Sequence, residues 1–446
     1  MTEQLSAQAA WRVRLALACL TVAVYAVALG GPFQFDDRGA IVRELSVHSL
    51  SETLAGAAQS LRTLLKLSYA LCWALAGGAT WPFHVFNLLT HLLNVELVMR
   101  LYGAAVRRER SWPFAGLEPG GVVTGALFAL HPIQTEAVTY VTGRSASLST
   151  CFVLLGLLCY VAGARSGRRM FAWLLSPLAF LAAIATKETS VVLPLILLGW
   201  ELIIERTPLR LVARRLAPWF GVWLLAAVAL IMHERYFALL YASLGQRPFG
   251  EALRYQLGGG FYIARRLVLW DAPCIDPGLW LVPPAGGVVI ATAALVCAAL
   301  AWAGWRARAQ PLLLFGLLLF VLQLLVVHTL LPRLDVVNER HAYLANVGLF
   351  LAIGCLVPKP RPLMWPAALL LAALTWRRNL DYETEVSLWQ STLRSAPSNP
   401  RAHNNLGVAY ELEGNLIRAR LEYAEALKLE PRYVAARENL VRATRR

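Results

Sequence analysis

From Leu15 to Trp376 the chain passes through one apolar stretch after another. Several approach or exceed the ~18–20 residues needed to cross ~30 Å of hydrocarbon as helix. Among 446 residues, 58% are hydrophobic and 15% charged, and the mean hydropathy is +0.53. That is far too apolar for an ordinary soluble protein. The runs predict spans near 12–30, 82–102, 119–131, 146–164, 170–186, 189–205, 216–232, 282–304, 311–331, 341–357 and 363–376, about eleven in all. Segments 53–78 and 253–270 are apolar but broken by charge or glycine, and read as interfacial or re-entrant helices. The expected fold is all-α and polytopic.

A net charge of +15 could point to nucleic acid. The basic residues, however, lie mostly in short clusters between apolar runs, and no nucleic-acid-binding module is recognisable. The positive-inside rule and contact with anionic membrane lipids explain them first. Arg107, Arg108, Arg110, Arg165, Arg168, Arg169, Arg210, Arg214, Arg215, Arg306, Arg308, Lys359 and Arg361 mark one side. With an odd number of spans and those loops inside, the N-terminus is expected in the cytoplasm and the C-terminus outside. The first apolar run, Leu15 to Gly30, follows Arg12 and Arg14 but lacks a small-residue cleavage site, so an uncleaved first helix is expected. The seven cysteines give no disulfide framework and no zinc-like spacing; only Cys274 falls in a clearly extramembrane loop. Abundant arginine and scarce lysine hint at a GC-rich bacterial genome; the expected location is a bacterial inner membrane.

After Trp376 the chain turns soluble. The roughly 34-residue tetratricopeptide pattern puts small or apolar residues where two antiparallel helices touch. Counted from Pro400, Leu406, Gly407, Tyr410, Ala419, Tyr423, Ala426 and Pro431 fall in register. One period earlier, Trp389 takes the large aromatic position and Pro397 the terminal proline; Leu440 opens a further repeat. The expected division is a transmembrane domain at 1–376 and an extracytoplasmic repeat module at 377–446. Stacked repeats usually need about three units to build a surface, so a module this short could simply cap the membrane domain.

Polar clusters that helix ends do not explain fall on the predicted outer side. Phe35-Asp36-Asp37-Arg38 follows the first span. Paired carboxylates there suit a general base or a metal ligand, although Asp is also common at helix starts. His131-Pro132-Ile133-Gln134-Thr135-Glu136, leading to Gly143-Arg144-Ser145, gathers polar groups in a turn between two spans. Lys187-Glu188 sits between two apolar runs, where charge is costly unless paired or facing a cavity. Arg265 and Arg266, with Trp270 and Asp271 beyond, could grip a phosphate by forked hydrogen bonds or snorkel to lipid headgroups. Asn338-Glu339-Arg340-His341-Ala342-Tyr343 opens the tenth span, with Arg340 suited to an anionic headgroup and Tyr343 about one turn further along. A carboxylate pair and several cations on one face suit group transfer from a lipid-phosphate donor. The cations would hold the leaving phosphate while a carboxylate deprotonates the acceptor.

Taken in order, Phe35-Asp36-Asp37, the stretch from His131 to Val138 running on to Gly143-Arg144, Lys187-Glu188, Glu339-Arg340 with Tyr343-Leu344, and Asn404-Asn405-Leu406-Gly407 resemble the transmembrane-and-tetratricopeptide-repeat (TMTC) proteins and their bacterial relatives. The likeness covers nearly the whole chain. It departs from the family in its very short repeat array and in lacking a proline near Asn346. Those proteins resemble the protein O-mannosyltransferases, multispanning GT-C glycosyltransferases. The resemblance implies a GT-C-type enzyme that moves a hexose, mannose or another, from a polyprenyl-phosphate donor to a protein hydroxyl outside the cytoplasm, with inversion. Asp36 or Asp37 would be the base; Lys187, Arg265, Arg266 and Arg340 would neutralise the donor phosphate. His131, Glu136, Arg144, Glu188 and Tyr343 would position acceptor or sugar. No cofactor is required: paired acids could bind a divalent metal, but the cations make one unnecessary. The rival readings are transfer to an envelope glycan or lipid, and a non-enzymatic membrane scaffold that recruits partners through its repeat. A transporter is a weaker reading, since the halves of the body share no internal repeat.

Overall fold

The computed structural model describes residues 5–107, 116–234, 237–238, 241–242, 245, 247–268, 274–279, 283–330, 335–357 and 364–445. Arg108, Arg110, Trp270, Asp271, Lys359 and Arg361 lie outside them. Every regular element among the described residues is helical. In hydrocarbon a backbone must satisfy its own N–H and C=O groups, and a helix does so within one segment. Ala7–Ala28, Val141–Ser166, Leu209–Ala229, Gly286–Arg306 and Pro311–Leu330 are each long and apolar enough to cross a membrane. Other stretches that read as spans are divided: the 189–205 run becomes Glu188–Val192, Leu193–Gly199 and Trp200–Ile204. The protein is an all-α, multi-pass membrane protein. Its outer helix faces carry exposed Leu224, Leu225, Ile290 and Leu295, as lipid contact requires, with Trp302, Trp305 and Trp365 also exposed.

Close approach holds the body together where the hydrophobic effect cannot, since lipid tails are as apolar as leucine. Gly316 on helix Pro311–Val321 meets Gly348 on Tyr343–Leu356; a Cβ on either would lie 2.4 Å from the other's carbonyl oxygen. The body has two polar ends. At one, Arg165 Nη1 donates to the Arg107 carbonyl at 2.9 Å, Arg206 Nη2 to that of Arg308 at 2.8 Å, and Arg215 pairs with the buried Glu201 at 3.1 Å. These are the arginine-bearing loops read from the sequence as one side. Helix Arg144–Ser166 runs from the other end to this one, about 35 Å at 1.5 Å per residue. The interfacial reading of 253–270 meets a helix, Phe249–Val268, that buries a stripe of Ala252, Gln256, Gly259 and Ile263 and leaves Arg265 exposed.

The tail forms helices Glu385–Ser395, Pro400–Leu412, Leu416–Leu429 and Val434–Arg445. Local chemistry sets their ends. Thr384 and Ser387 make a reciprocal capping box, and the Asn399 side chain caps a helix with Pro400 at its first position. Gly414, at φ +81°, ends that helix in the left-handed conformation glycine favours. Leu406, Gly407, Tyr410, Ala419, Tyr423 and Ala426 are buried between the two central tail helices. A Cβ on Gly407 would come 2.6 Å from the Tyr423 ring. The 376/377 boundary falls inside helix Met364–Leu380, whose Arg378 and Asn379 are buried. Asn379 donates to the Val24 carbonyl at 2.7 Å and accepts from Thr139 Oγ1 at 2.5 Å. Arg401 adds ion pairs to Asp276 and Asp335, each at 2.6 Å. The tail is docked on the body.

Candidate active site

The end opposite the arginine loops gathers the first loop, the 131–144 turn, the start of the tenth predicted span and the first tail helix. Asp36 and Asp37 are adjacent but differently placed. Asp37 is 1% exposed; its Oδ2 accepts from the Gln34 N–H at 3.0 Å and its Oδ1 from the Thr142 N–H at 2.9 Å. It ties the first loop to the 140–143 turn. Burial pushes its carboxyl up to about 7, outweighing the two backbone donors that favour the charged form. Asp36 points outward with its side chain 50% exposed, 3.7 Å from Arg340 Nη2. Its backbone N–H donates to Tyr140 Oη at 2.8 Å.

Arg340 is fixed by Glu136. The Arg340 backbone N–H reaches Glu136 Oε2 at 2.9 Å, and Nη1 reaches Oε1 at 3.0 Å. The guanidinium also lies over the Tyr140 ring, 5.4 Å from its centroid. Glu136 is fully buried, and burial pushes its carboxyl up to about 7 against the pull of Arg340. Glu339, next in chain, accepts from Tyr262 Oη at 3.4 Å and faces the buried Arg378 at 4.0 Å. Burial raises its carboxyl too, while Arg378 and Arg266 act to lower it. Arg266 lies over the Tyr262 ring at 4.8 Å. Among the described residues, no group of three or more His, Cys, Asp and Glu is arranged to hold a metal ion.

The structure brings together Asp36, Asp37, Glu136 and Arg340; Arg266 is linked to Glu339, the neighbour of Arg340, through Tyr262. The other candidates make different contacts. Arg265, one residue along the helix, turns about 100° away to the exposed face. Arg144 is buried inside the body: its guanidinium donates to Asn87 Oδ1 at 2.6 Å and to the Ser68 and Phe83 carbonyls at 2.9 Å. It ties its own helix to helices Thr63–Ala76 and Trp81–Val106. Tyr343 is sealed in the core, its hydroxyl 2.7 Å from His91 Nδ1. His131 accepts from the Ile133 N–H at 3.2 Å and packs on Phe350. Glu188 pairs with Arg62 at 2.9 Å, and Lys187 is buried beside it in the chain. Tyr140, Tyr262, Arg378 and the tail's Glu385 and Trp389 complete the site, and sequence reading missed their part in it. Tyr262 stands four residues before Arg266 on one helix, and Trp389 holds the aromatic position of the repeat, two spacings that could have signalled them; Tyr140 and Glu385 meet the site through tertiary folding.

No model of a known protein family matches the chain. It is 24% identical over 467 residues to a Caenorhabditis elegans protein O-mannosyl-transferase, covering 94% of this chain and 63% of that protein. It is 26% identical over 481 residues to the human protein O-mannosyl-transferase TMTC4, covering 90% of this chain and 64% of the other. With mouse TMTC2, also a protein O-mannosyl-transferase, identity rises to 36% over 109 residues, 24% of this chain and 12% of the other. The chain thus spans less than two thirds of each of these curated relatives. A crystal structure of ArnT from Cupriavidus metallidurans, bound to undecaprenyl phosphate, aligns over 96% of this chain and 76% of its own at 15% identity, with a TM-score of 0.44. Over most of its length the chain is similar to protein O-mannosyl-transferases, human TMTC4 among them.

Proposed function

We propose that the protein is a membrane glycosyltransferase that moves a sugar, mannose or another hexose, from a polyprenyl-phosphate donor to a protein hydroxyl on the extracytoplasmic side. The observation that carries this reading is the placement of Asp36. Asp37, Glu136 and Glu339 are closed off, while the Asp36 carboxylate is half open and faces a fixed guanidinium. An acceptor hydroxyl is a poor nucleophile near neutral pH, so a carboxylate within reach is the expected device. Asp36 takes the hydroxyl proton as the oxygen attacks the sugar carbon with inversion. The bond from that carbon to the phosphate oxygen breaks, and the phosphate leaves with the electron pair. Arg340, held by Glu136, meets the charge that develops there. Arg266 adds a second cation, and Asp37 holds the loop. The positive charge comes from arginine, so the step is read as metal-independent. The curated relatives are described as protein O-mannosyl-transferases, which supports the sugar and the acceptor class. The tail is read as a tetratricopeptide module beside the site, where an acceptor would arrive, and the membrane as a bacterial inner membrane.

The test is incubation of the purified full chain with labelled polyprenyl-phosphate mannose and other hexoses, with protein, glycan and lipid acceptors in parallel. Label should pass to protein, and about 10²- to 10⁴-fold more slowly with Asp36→Asn. Transfer only to glycan or lipid would overturn the acceptor assignment. No transfer from any donor would favour a scaffold.

A further inference from the structure

The segment that carries Asp36 does not hold its own shape. Phe35 sits at φ +46°, a left-handed conformation that a bulky side chain adopts only when its surroundings impose it. The surroundings here come from the tail. Glu385 Oε1 accepts the Phe35 N–H at 3.2 Å, and Glu385 also pairs with Arg38. The Trp389 ring meets the Phe35 ring edge to face, centroids 5.1 Å apart at 87°. Gln34 Nε2 donates to the Tyr382 carbonyl at 2.9 Å. Trp389 and Tyr382 are buried in one cluster with Tyr140, whose hydroxyl accepts the Asp36 N–H.

These contacts fall on the loop backbone immediately around the carboxylate, and several use hydrogen bonds with fixed directions. A cap that merely covered apolar surface would have no need of them. Resting on Asp36 as the base, we propose that helix Glu385–Ser395 is a positioning element of the active site. Glu385 and Trp389 hold Phe35 in its strained conformation, and that conformation aims Asp36 at Arg340. Without them Phe35 relaxes to negative φ and the carboxylate swings away. Arg340 stays where Glu136 holds it, so donor binding survives while turnover falls.

Four variants of the full chain in lipid nanodiscs decide this: Glu385→Ala, Glu385→Gln, Trp389→Ala and Trp389→Phe. Gln keeps an acceptor for the Phe35 N–H, and Phe keeps a ring for the edge contact. Hydrogen exchange over residues 33–38 reads the loop without needing any activity. Both alanine variants should speed exchange there by about tenfold or more through local opening, with parent-like exchange across Arg144–Ser166 showing an intact body. Labelled sugar transfer should lose at least about tenfold in kcat with the donor KM within about twofold, the signature of an interaction needed only in the reacting state. The Gln and Phe variants should recover most of both. Parent-like exchange over 33–38 in both alanine variants would overturn the proposal. So would faster exchange with an unchanged rate. A parent protein that transfers no sugar would sink the enzyme reading instead, and the exchange result would still decide whether the tail holds the loop.

Discussion

Replacing Asp36 by Asn keeps the side chain's size and removes its basicity. Because the group is half exposed, stability should stay within about 0.5 kcal/mol, while transfer falls by about 10²- to 10⁴-fold; parent-rate transfer would end its assignment as base. Asp37→Asn should behave differently. It leaves one of two buried backbone N–H groups facing a donor instead of an acceptor, at about 1–3 kcal/mol, and should lower the melting temperature. The pH dependence has a definite sign. Burial raises the folded-state carboxyl from 3.8 to about 7, so the folded protein holds this proton more tightly than the unfolded chain. That contribution to stability is full below 3.8 and is lost as pH climbs through about 7. Melting temperatures measured across that window should vary less with pH in Asp37→Asn than in the parent. Arg340→Ala is a poor probe, since it strands a buried Glu136 at about 3–5 kcal/mol. Arg340→Lys keeps the charge but loses the planar fork, and should weaken binding of a polyprenyl-phosphate donor by roughly 10- to 150-fold. Unchanged donor affinity would leave Arg340 a purely structural ion. The sequence could nominate Asp36, Asp37, Glu136 and Arg340 because charge next to an apolar run is costly unless used. It could not separate exposed Asp36 from buried Asp37, nor tell that Arg144 turns inward, because those outcomes depend on carbonyls and side chains far along the chain.

Helix periods were legible where spacing alone decides. The tail register placed Leu406, Gly407, Tyr410, Ala419, Tyr423 and Ala426 at positions that are buried in the fold. Docking of that tail was not legible, because Arg401 and Asp276 lie 125 residues apart and neither stands out in its own segment. Arg401→Ala leaves Asp276, 3% exposed at its side chain, without its guanidinium. Burial pushes the Asp276 carboxyl up, and the Arg401 contact is the largest of those that bring it below its ordinary value. The variant should loosen the tail by about 1–3 kcal/mol, read as faster hydrogen exchange or proteolysis over 399–445; parent-like protection would show that other contacts suffice. The Gly316–Gly348 approach makes a second prediction. Gly348→Ala puts a methyl group 2.4 Å from a carbonyl oxygen of the facing helix and 2.9 Å from the Phe320 backbone nitrogen. Neither neighbour is a flexible tip, so the helices must separate, at about 1–3 kcal/mol by analogy with overpacked cores. The same substitution at Gly304, with nothing near its Cβ position, should be silent in the same thermal measurement.

The two ends of the body differ in kind, and that difference carries a claim about orientation. At one end Arg165, Arg206 and Arg215 converge on carbonyls and on Glu201 and Glu205, and Arg107 pairs with Glu118. At the other are Asp36, Glu136, Arg340 and the docked tail. Lys and Arg near span ends favour the cytoplasm because moving them across during insertion is costly. The arginine end should therefore face the cytoplasm, and the Asp36 end the outside. The fold makes this a single assignment, not one for each loop. Helix Arg144–Ser166 joins the ends, and Asn379, bonded to Val24 and Thr139, fixes the root of the tail at the Asp36 end. Reporter fusions after Arg168 and after Arg445 read it directly. A phosphatase that works only outside the cytoplasm should be active after Arg445 and inactive after Arg168, and a cytoplasmic fluorescent reporter should show the reverse. Both sites on one side would contradict the fold itself, because the tail would have to leave the end it is bonded to. Opposite sides in the reverse sense would leave the fold intact and place the site in the cytoplasm, where a donor and a secreted acceptor would have to meet before export. Only the first result leaves Asp36, half open beside Arg340, facing the compartment in which an exported protein could present a hydroxyl to it.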